Sequence, residues 1–178
     1  MGEDGFVQVS DILNLKAFSK FTLQDILDVV ATNNKQRFYL HQRDGSLMIR
    51  ANQGHSLKVD HLELVPLNHD FDSFIIHGTY MRNWASIRDN GLSRMNRIHI
   101  HFTDRLPQNN QVISGIRKNC DLLIFVNFHR ARDDGIQFFK AANGVILSEG
   151  IGGRILLKYF LKVIHLKYGK EELLYESK

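Results

Sequence analysis

The chain has 178 residues, 43% of them hydrophobic and 24% charged, with only Pro66 and Pro107 as prolines; this is an ordinary globular composition for one domain or two small lobes, and it excludes wholesale disorder or a large multidomain machine. The longest apolar run, Leu122 to Val126, is far short of the roughly 20 residues that cross a bilayer, and Cys120 is the single cysteine, so no membrane partner and no internal disulfide are expected. The net charge is +4, and with a single cysteine a reducing compartment, cytoplasmic or nuclear, is the expected location.

Taken in chain order, Gly5 to Val9 alternates briefly, and Ser10 reads as the N-cap of a first helix through Asp11 to Leu15. Thr22 reads as the cap of a second helix, with Leu23, Ile26, Leu27 and Val30 at i, i+3, i+4 and i+7 on one apolar face. Arg37 to Leu40 and Leu47 to Ala51 then read as two strands about an Asp44-Gly45 turn, an order of elements like that of a winged helix. Leu64 to Ser73, with Pro66 and Asn68-His69-Asp70, reads as the least structured stretch, and the linker is placed at 66–73. Beyond it, Phe74 to His77, Leu122 to Val126 and Gly144 to Leu147 are predicted as buried strands. Ile98 to Phe102 is predicted as a strand with His99 and His101 on one side, about 7 Å apart. Trp84, Ile87 and the stop at Asn90-Gly91 predict a short helix with a C-terminal glycine. The fold class expected is α+β.

Charge is uneven along the chain. Residues 1–36 hold three Lys or Arg against five Asp or Glu, while 82–118 hold seven against two, a phosphate-binding face or an ordinary solvated surface. Ala51-Asn52-Gln53-Gly54-His55-Ser56 follows a strand with donors suited to phosphate or base edges, or forms a plain turn. His77-Gly78-Thr79 ends an apolar strand; the glycine permits close backbone approach and its neighbours can hydrogen-bond a ribose or amide, the alternative being a satisfied histidine at a strand end. A zinc pair at His99 and His101 is disfavoured, since no cysteine and no carboxylate at ligand spacing accompany it, and no metal is expected. The phosphate-loop, dinucleotide-fingerprint, serine-hydrolase and zinc-protease signatures are absent.

Six motifs in order carry a resemblance. Lys35-Gln36-Arg37-Phe38, Ile49 to Ser56, His77-Gly78-Thr79, His99-Ile100-His101, Ile113-Ser114-Gly115-Ile116-Arg117 and Ala142 to Leu147 resemble the RNA 2′-phosphotransferase family, from Gly5 to about Leu166. The resemblance implies a winged-helix-like RNA-binding lobe over 1–65 and a β-rich, ADP-ribosyltransferase-like lobe over 74–178, with RNA and NAD in the cleft between them. It implies a monomer acting on tRNA or another RNA that carries an internal 2′-phosphate, with NAD as co-substrate. In the implied chemistry the 2′-phosphate attacks the anomeric carbon of the nicotinamide ribose and nicotinamide departs. The neighbouring 2″-hydroxyl then attacks phosphorus, giving 2′-hydroxyl RNA and ADP-ribose 1″,2″-cyclic phosphate.

By the same resemblance, Arg37 and Arg97 are the catalytic arginines. His77, Gly78, Thr79, Ser114, Gly115 and Asn143 fall to NAD, and Arg50, Asn52, Gln53, His55 and Arg117 to the RNA phosphate. Family members also carry an adjacent Arg-His pair in a Leu-Arg-His stretch ahead of the region seen here at Asp4 to Val7; here the first arginine is Arg37. The first lobe is therefore expected to be incomplete at its start. The alternative expectations are an impaired RNA or ADP-ribose binder, or a nucleic-acid ADP-ribosyltransferase that stops after the first step.

Overall fold

Asp44 and Gly45 take φ of 48° and 75°, the positive pair that a two-residue type I′ turn requires, and Arg43 pairs with Ser46 on either side of it. The turn closes the hairpin expected from the sequence. The structure, a computed structural model, describes Gly2, residues 4–55, residues 64–106, Ile116 and residues 119–177. Its contacts divide the chain into Met1–Glu63 and Leu64–Lys178, and its mixture of helices and strands is α+β.

The first unit runs β1 (Val7–Gln8), α1 (Val9–Leu13), α2 (Leu23–Thr32), β2 (Phe38–Arg43) and β3 (Ser46–Ala51). The sheet has three strands in the order β1-β3-β2, one more than the sequence reading supplied. Gln8, not Ser10, is the N-cap of α1. The helix starts at Val9, which is buried, and so takes Ser10 into its first turn. Thr22 caps α2 as expected: its Oγ1 accepts from the Asp25 N–H at 3.2 Å, and the Asp25 carboxylate accepts from the Thr22 N–H at 2.7 Å. That reciprocal pair satisfies two otherwise orphaned donors and helps to fix the start of the helix. Val7, Ile49 and Leu40 form one cross-strand row, all partly buried.

The second unit runs β4 (Val65–Pro66), β5 (Ile75–Thr79), α3 (Trp84–Asn90), β6 (Leu92–Ser93), β7 (Ile100–Phe102), β8 (Leu122–Val126), α4 (Phe128–Asp133), β9 (Phe139–Lys140), β10 (Ile146–Ser148), β11 (Arg154–Ile155), β12 (Phe160–Lys167) and β13 (Lys170–Glu176). Two four-stranded sheets, β4-β9-β10-β7 and β13-β12-β8-β5, meet where Ile76 and Thr103 exchange both backbone hydrogen bonds at 2.9 Å. Ile75, Phe102, Leu122, Ile124 and Phe160 pack one core, and Ile76, Leu123, Phe125, Ile164 and Ile116 a second. Each large side chain so buried contributes about 1.5–3 kcal/mol.

Several expectations are corrected. The stretch read as a linker belongs to this unit: Pro66 ends an edge strand, and the Leu67 N–H donates to the Phe138 carbonyl at 2.8 Å. An edge strand tolerates proline because one side of its backbone needs no donor. His77, Gly78 and Thr79 end β5 as expected, but the strand starts at Ile75 and not at Phe74. The strand expected over Ile98 to Phe102 begins only at Ile100, since the chain turns at Met95, whose φ is 55°, and the Arg97 N–H donates back to Arg94 at 3.2 Å. Gly144 sits in the β9–β10 turn, and its strand starts at Ile146. Gly91, with φ of 79°, ends α3 where the sequence placed its stop.

Candidate functional site

On β5, alternation sends Gly78 to the face opposite His77, and the two do different work. A Cβ built on Gly78 would stand 2.8 Å from Ile116 Cγ2 and 2.9 Å from Cys120 Sγ. Packing within the protein therefore requires the glycine, and a ligand on that face could reach only backbone. His77 Nδ1 stands 2.8 Å from the His101 carbonyl oxygen, and its ring meets Phe102 edge-on. A carbonyl can only accept, so Nδ1 carries a proton in this contact. Thr79 is 8% exposed; its hydroxyl accepts from Asn83 Nδ2 at 3.0 Å and keeps its own proton to donate.

Across the sheet junction, His101 is buried on β7 with 9% of its surface exposed. Burial, then the charge of Arg97, then His99 and His77, push its pKa down to about 4, while a hydrogen bond to the His99 backbone works the other way. Arg97 is exposed at the bend before β7. Arg97, His77, His99 and His101 thus form one electropositive group in which His101 is neutral at physiological pH. Asn143 stands elsewhere, in the turn between β9 and β10, where its Oδ1 accepts from the Val145 N–H at 3.4 Å. Since Ile146 pairs with Phe102 and Ser148 with Ile100, that turn lies toward the Thr103 end of β7 and Arg97 toward the other. Ser114, Gly115 and Arg117 lie outside the described residues.

This burial has a measurable consequence. An unfolded histidine titrates near 6.5 and His101 only near 4, so the unfolded chain binds the extra proton between those values. The contribution to stability is complete above about pH 6.5 and is lost as pH falls toward 4, on the order of 3 kcal/mol at the limit. Denaturant titrations between pH 4 and 7 should therefore give a steeper fall for the parent chain than for His101→Gln. Parallel curves would contradict the burial.

In the first unit the expected residues gather at the open end of the hairpin. The Asn52 N–H donates to the Arg37 carbonyl at 2.8 Å, Asn52 Nδ2 to the Gln36 carbonyl at 2.7 Å, and the Arg37 N–H to Asn33 Oδ1 at 3.3 Å. These bonds hold the corner and leave the Arg37 side chain exposed. Arg50 is 7% exposed, with its guanidinium 4.8 Å from the Phe6 ring centroid and 5.4 Å from that of Tyr39. It serves as a buried charge beneath the surface more than as an exposed fork. Burial and then Arg50 lower the pKa of His55, which is half-buried beside Gln53. Sequence reasoning passed over Phe6, Tyr39, His41 and Arg43, which continue the same face. The alternation Arg37, Tyr39, His41, Arg43 was the signal available.

Among the described residues, no helix is long and apolar enough to cross a membrane. Guanidinium groups beside the neutral His101 suit a ligand rich in phosphate and hydroxyl oxygens, and the relatives of this chain agree with that chemistry. A family model described as "RNA 2′-phosphotransferase, Tpt1 / KptA family" matches residues 1–150. The tRNA 2′-phosphotransferase 1 of Danio rerio is 46% identical over 173 residues, covering 94% of this chain and 77% of its own length. The protein of the same name from Homo sapiens is 44% identical over 178 residues, covering 97% and 70%. A probable RNA 2′-phosphotransferase of Rhizobium rhizogenes is 34% identical over 155 residues, covering 86% and 79%. With a match that takes in both units and every motif from Arg37 to Asn143, this chain belongs to the RNA 2′-phosphotransferase family.

Proposed function

We propose that the chain removes an internal 2′-phosphate from RNA, as at a tRNA splice junction, by transferring it to NAD through an ADP-ribosylated RNA phosphate. The observation that carries this reading is the exposed Arg97 guanidinium grouped with the neutral His101 and with His77 and His99, in a chain of this family. NAD, as co-substrate, supplies an anomeric carbon from which nicotinamide can leave. The donor set fits it: the His77 ring, oriented by the His101 carbonyl, and the Thr79 hydroxyl, which can donate, are groups suited to ribose hydroxyls. Gly78 contributes backbone alone, and Ser114, Gly115 and Asn143 complete the assignment by their motifs.

Arg37 and Arg97 serve the phosphate. A dianion entering a low-dielectric site needs guanidinium forks, each of which binds two oxygens at once. As phosphorus passes from the RNA 2′-oxygen to a ribose hydroxyl, charge grows on its peripheral oxygens. One well-placed donor there lowers the barrier by about 3 kcal/mol. Asn52, Gln53 and His55 bind the RNA phosphate backbone at the hairpin end.

The test is stoichiometry. With 2′-phosphorylated RNA in excess, one nicotinamide should be released for each phosphate removed, and neither should occur when the other substrate is left out. Phosphate loss without NAD would contradict the reading.

A further inference from the structure

One face of the three-stranded sheet in the first unit carries, beside the catalytic Arg37, aromatic and basic residues that the catalytic assignment does not use. Along β2 and the residue before it, Arg37, Tyr39, His41 and Arg43 point to the same side, and across the ladder Tyr39 faces Arg50, His41 faces Met48 and Arg43 faces Ser46. Phe6 and Gln8 extend these rows, Gln8 pairing with Met48 and donating to Ser46 Oγ at 2.8 Å. The side chains are in mutual contact. Tyr39 and His41 lie nearly parallel, 12° apart with centroids at 6.3 Å, and Phe6 meets both at about 6 Å. Arg43 and Arg50 stand over the Phe6 ring at 5.1 and 4.8 Å.

An ordinary sheet face of this size is either apolar and covered or polar and charged. Here Tyr39 is 46% exposed and His41 is exposed, while Phe6 and Arg50 are buried beneath them. Two exposed rings are thus propped by a buried cation and flanked by Arg37 and Arg43. The acid paired with this group is Asp4, 2.8 Å from Arg43, and an exposed pair of that kind exchanges readily for a phosphate. Exposed rings between basic side chains form the arrangement that stacks bases while holding the backbone by charge.

We infer that this face is a docking surface for the single-stranded RNA that flanks the 2′-phosphate, with bases stacked on Tyr39 and His41 and flanking backbone phosphates drawn to Arg43, while Arg37 at the end of the row serves the 2′-phosphate itself. The occupant is a polyanion because, among the described residues, the face presents the exposed Arg37 and Arg43 against the partly buried Asp4. It is single-stranded because only unstacked bases offer their faces to a ring. The surface spans four alternating positions, three on β2 and Arg37 before it, about 20 Å, a few nucleotides of extended chain. The inference rests on the function proposed above, which makes RNA the substrate.

The test compares two 2′-phosphorylated RNAs, a dinucleotide and an oligonucleotide of about ten residues, on the parent chain, Tyr39→Leu, Tyr39→Phe and His41→Ala. Tyr39→Leu keeps apolar packing on Phe6 but removes the stacking ring. The ratio of kcat/KM for the longer RNA to that for the dinucleotide should fall about tenfold for Tyr39→Leu and His41→Ala, in line with one lost base stack. Tyr39→Phe should retain the ratio. In parallel, fluorescence titration with a single-stranded RNA lacking the 2′-phosphate should lose about tenfold in affinity with the same two variants. Unchanged ratio and unchanged affinity would overturn the docking surface. If the parent chain turned over neither RNA, the proposed function would fall, and the titration alone would decide the surface.

Discussion

Arg97→Ala is expected to lower kcat/KM on 2′-phosphorylated RNA by about 10²- to 10³-fold while leaving the melting temperature nearly unchanged. Arg97 is exposed on a bend and belongs to no core cluster, so removing its side chain deletes charge and little packing. A preorganised donor at developing phosphoryl charge contributes about 3 kcal/mol, which sets the fold-change. Arg97→Lys should recover little, because an ammonium is a point charge without the planar fork. Arg37→Ala should behave alike, since the corner that holds Arg37 is built from backbone and asparagine groups. A drop of many degrees in melting with undiminished turnover per folded molecule would sink the assignment.

Gly78→Ala is expected to act in the opposite way. Its new methyl would stand within 3 Å of Ile116 and Cys120, in a strand hydrogen-bonded to β8 and buried on both sides. Overpacking of this kind costs about 1–3 kcal/mol, a few degrees of melting temperature per kcal/mol in a chain of this size. Because the clash is with side chains, Cys120→Ala in the same molecule should return part of the loss, a non-additivity that a double-mutant cycle measures. NAD affinity per folded molecule should change much less than stability. Loss of NAD binding with normal melting would instead place the ligand against the Gly78 face.

The same contrast explains what was legible in the sequence. Where a local rule acts alone, the reading held: the Asp44-Gly45 turn, the Thr22 cap with its Asp25 partner, the stop at Gly91, and the buried strand Leu122 to Val126 all follow from short-range chemistry. Where a distant partner decides, it did not. Pro66 and the polar residues after it look like a linker until β9 is beside them, and His99 looks like a strand residue until the Arg94–Arg97 turn delays β7. The hairpin β12–β13, with positive φ at Tyr168 and Gly169, was not read at all, although Tyr-Gly between alternating residues offered the same kind of signal as Asp-Gly.

For the candidate site, motif order located the residues, but their roles needed geometry. His77 reads as a ligand contact or as a satisfied histidine at a strand end, and the structure ties its Nδ1 to the His101 carbonyl. Gly78 read as room for a ligand, and the room is filled by Ile116 and Cys120. Arg50 read as a phosphate ligand, and it lies between two aromatic rings. In each case what surrounds the residue comes from elements far away in sequence.

The most direct test of the account follows the phosphorus atom. RNA labelled with ³²P in an internal 2′-phosphate is incubated with the chain and NAD, and the products are resolved. The account predicts that the label leaves the RNA for ADP-ribose 1″,2″-cyclic phosphate while the RNA emerges with a free 2′-hydroxyl. Label appearing as inorganic phosphate, or remaining on RNA that has gained ADP-ribose, would contradict it.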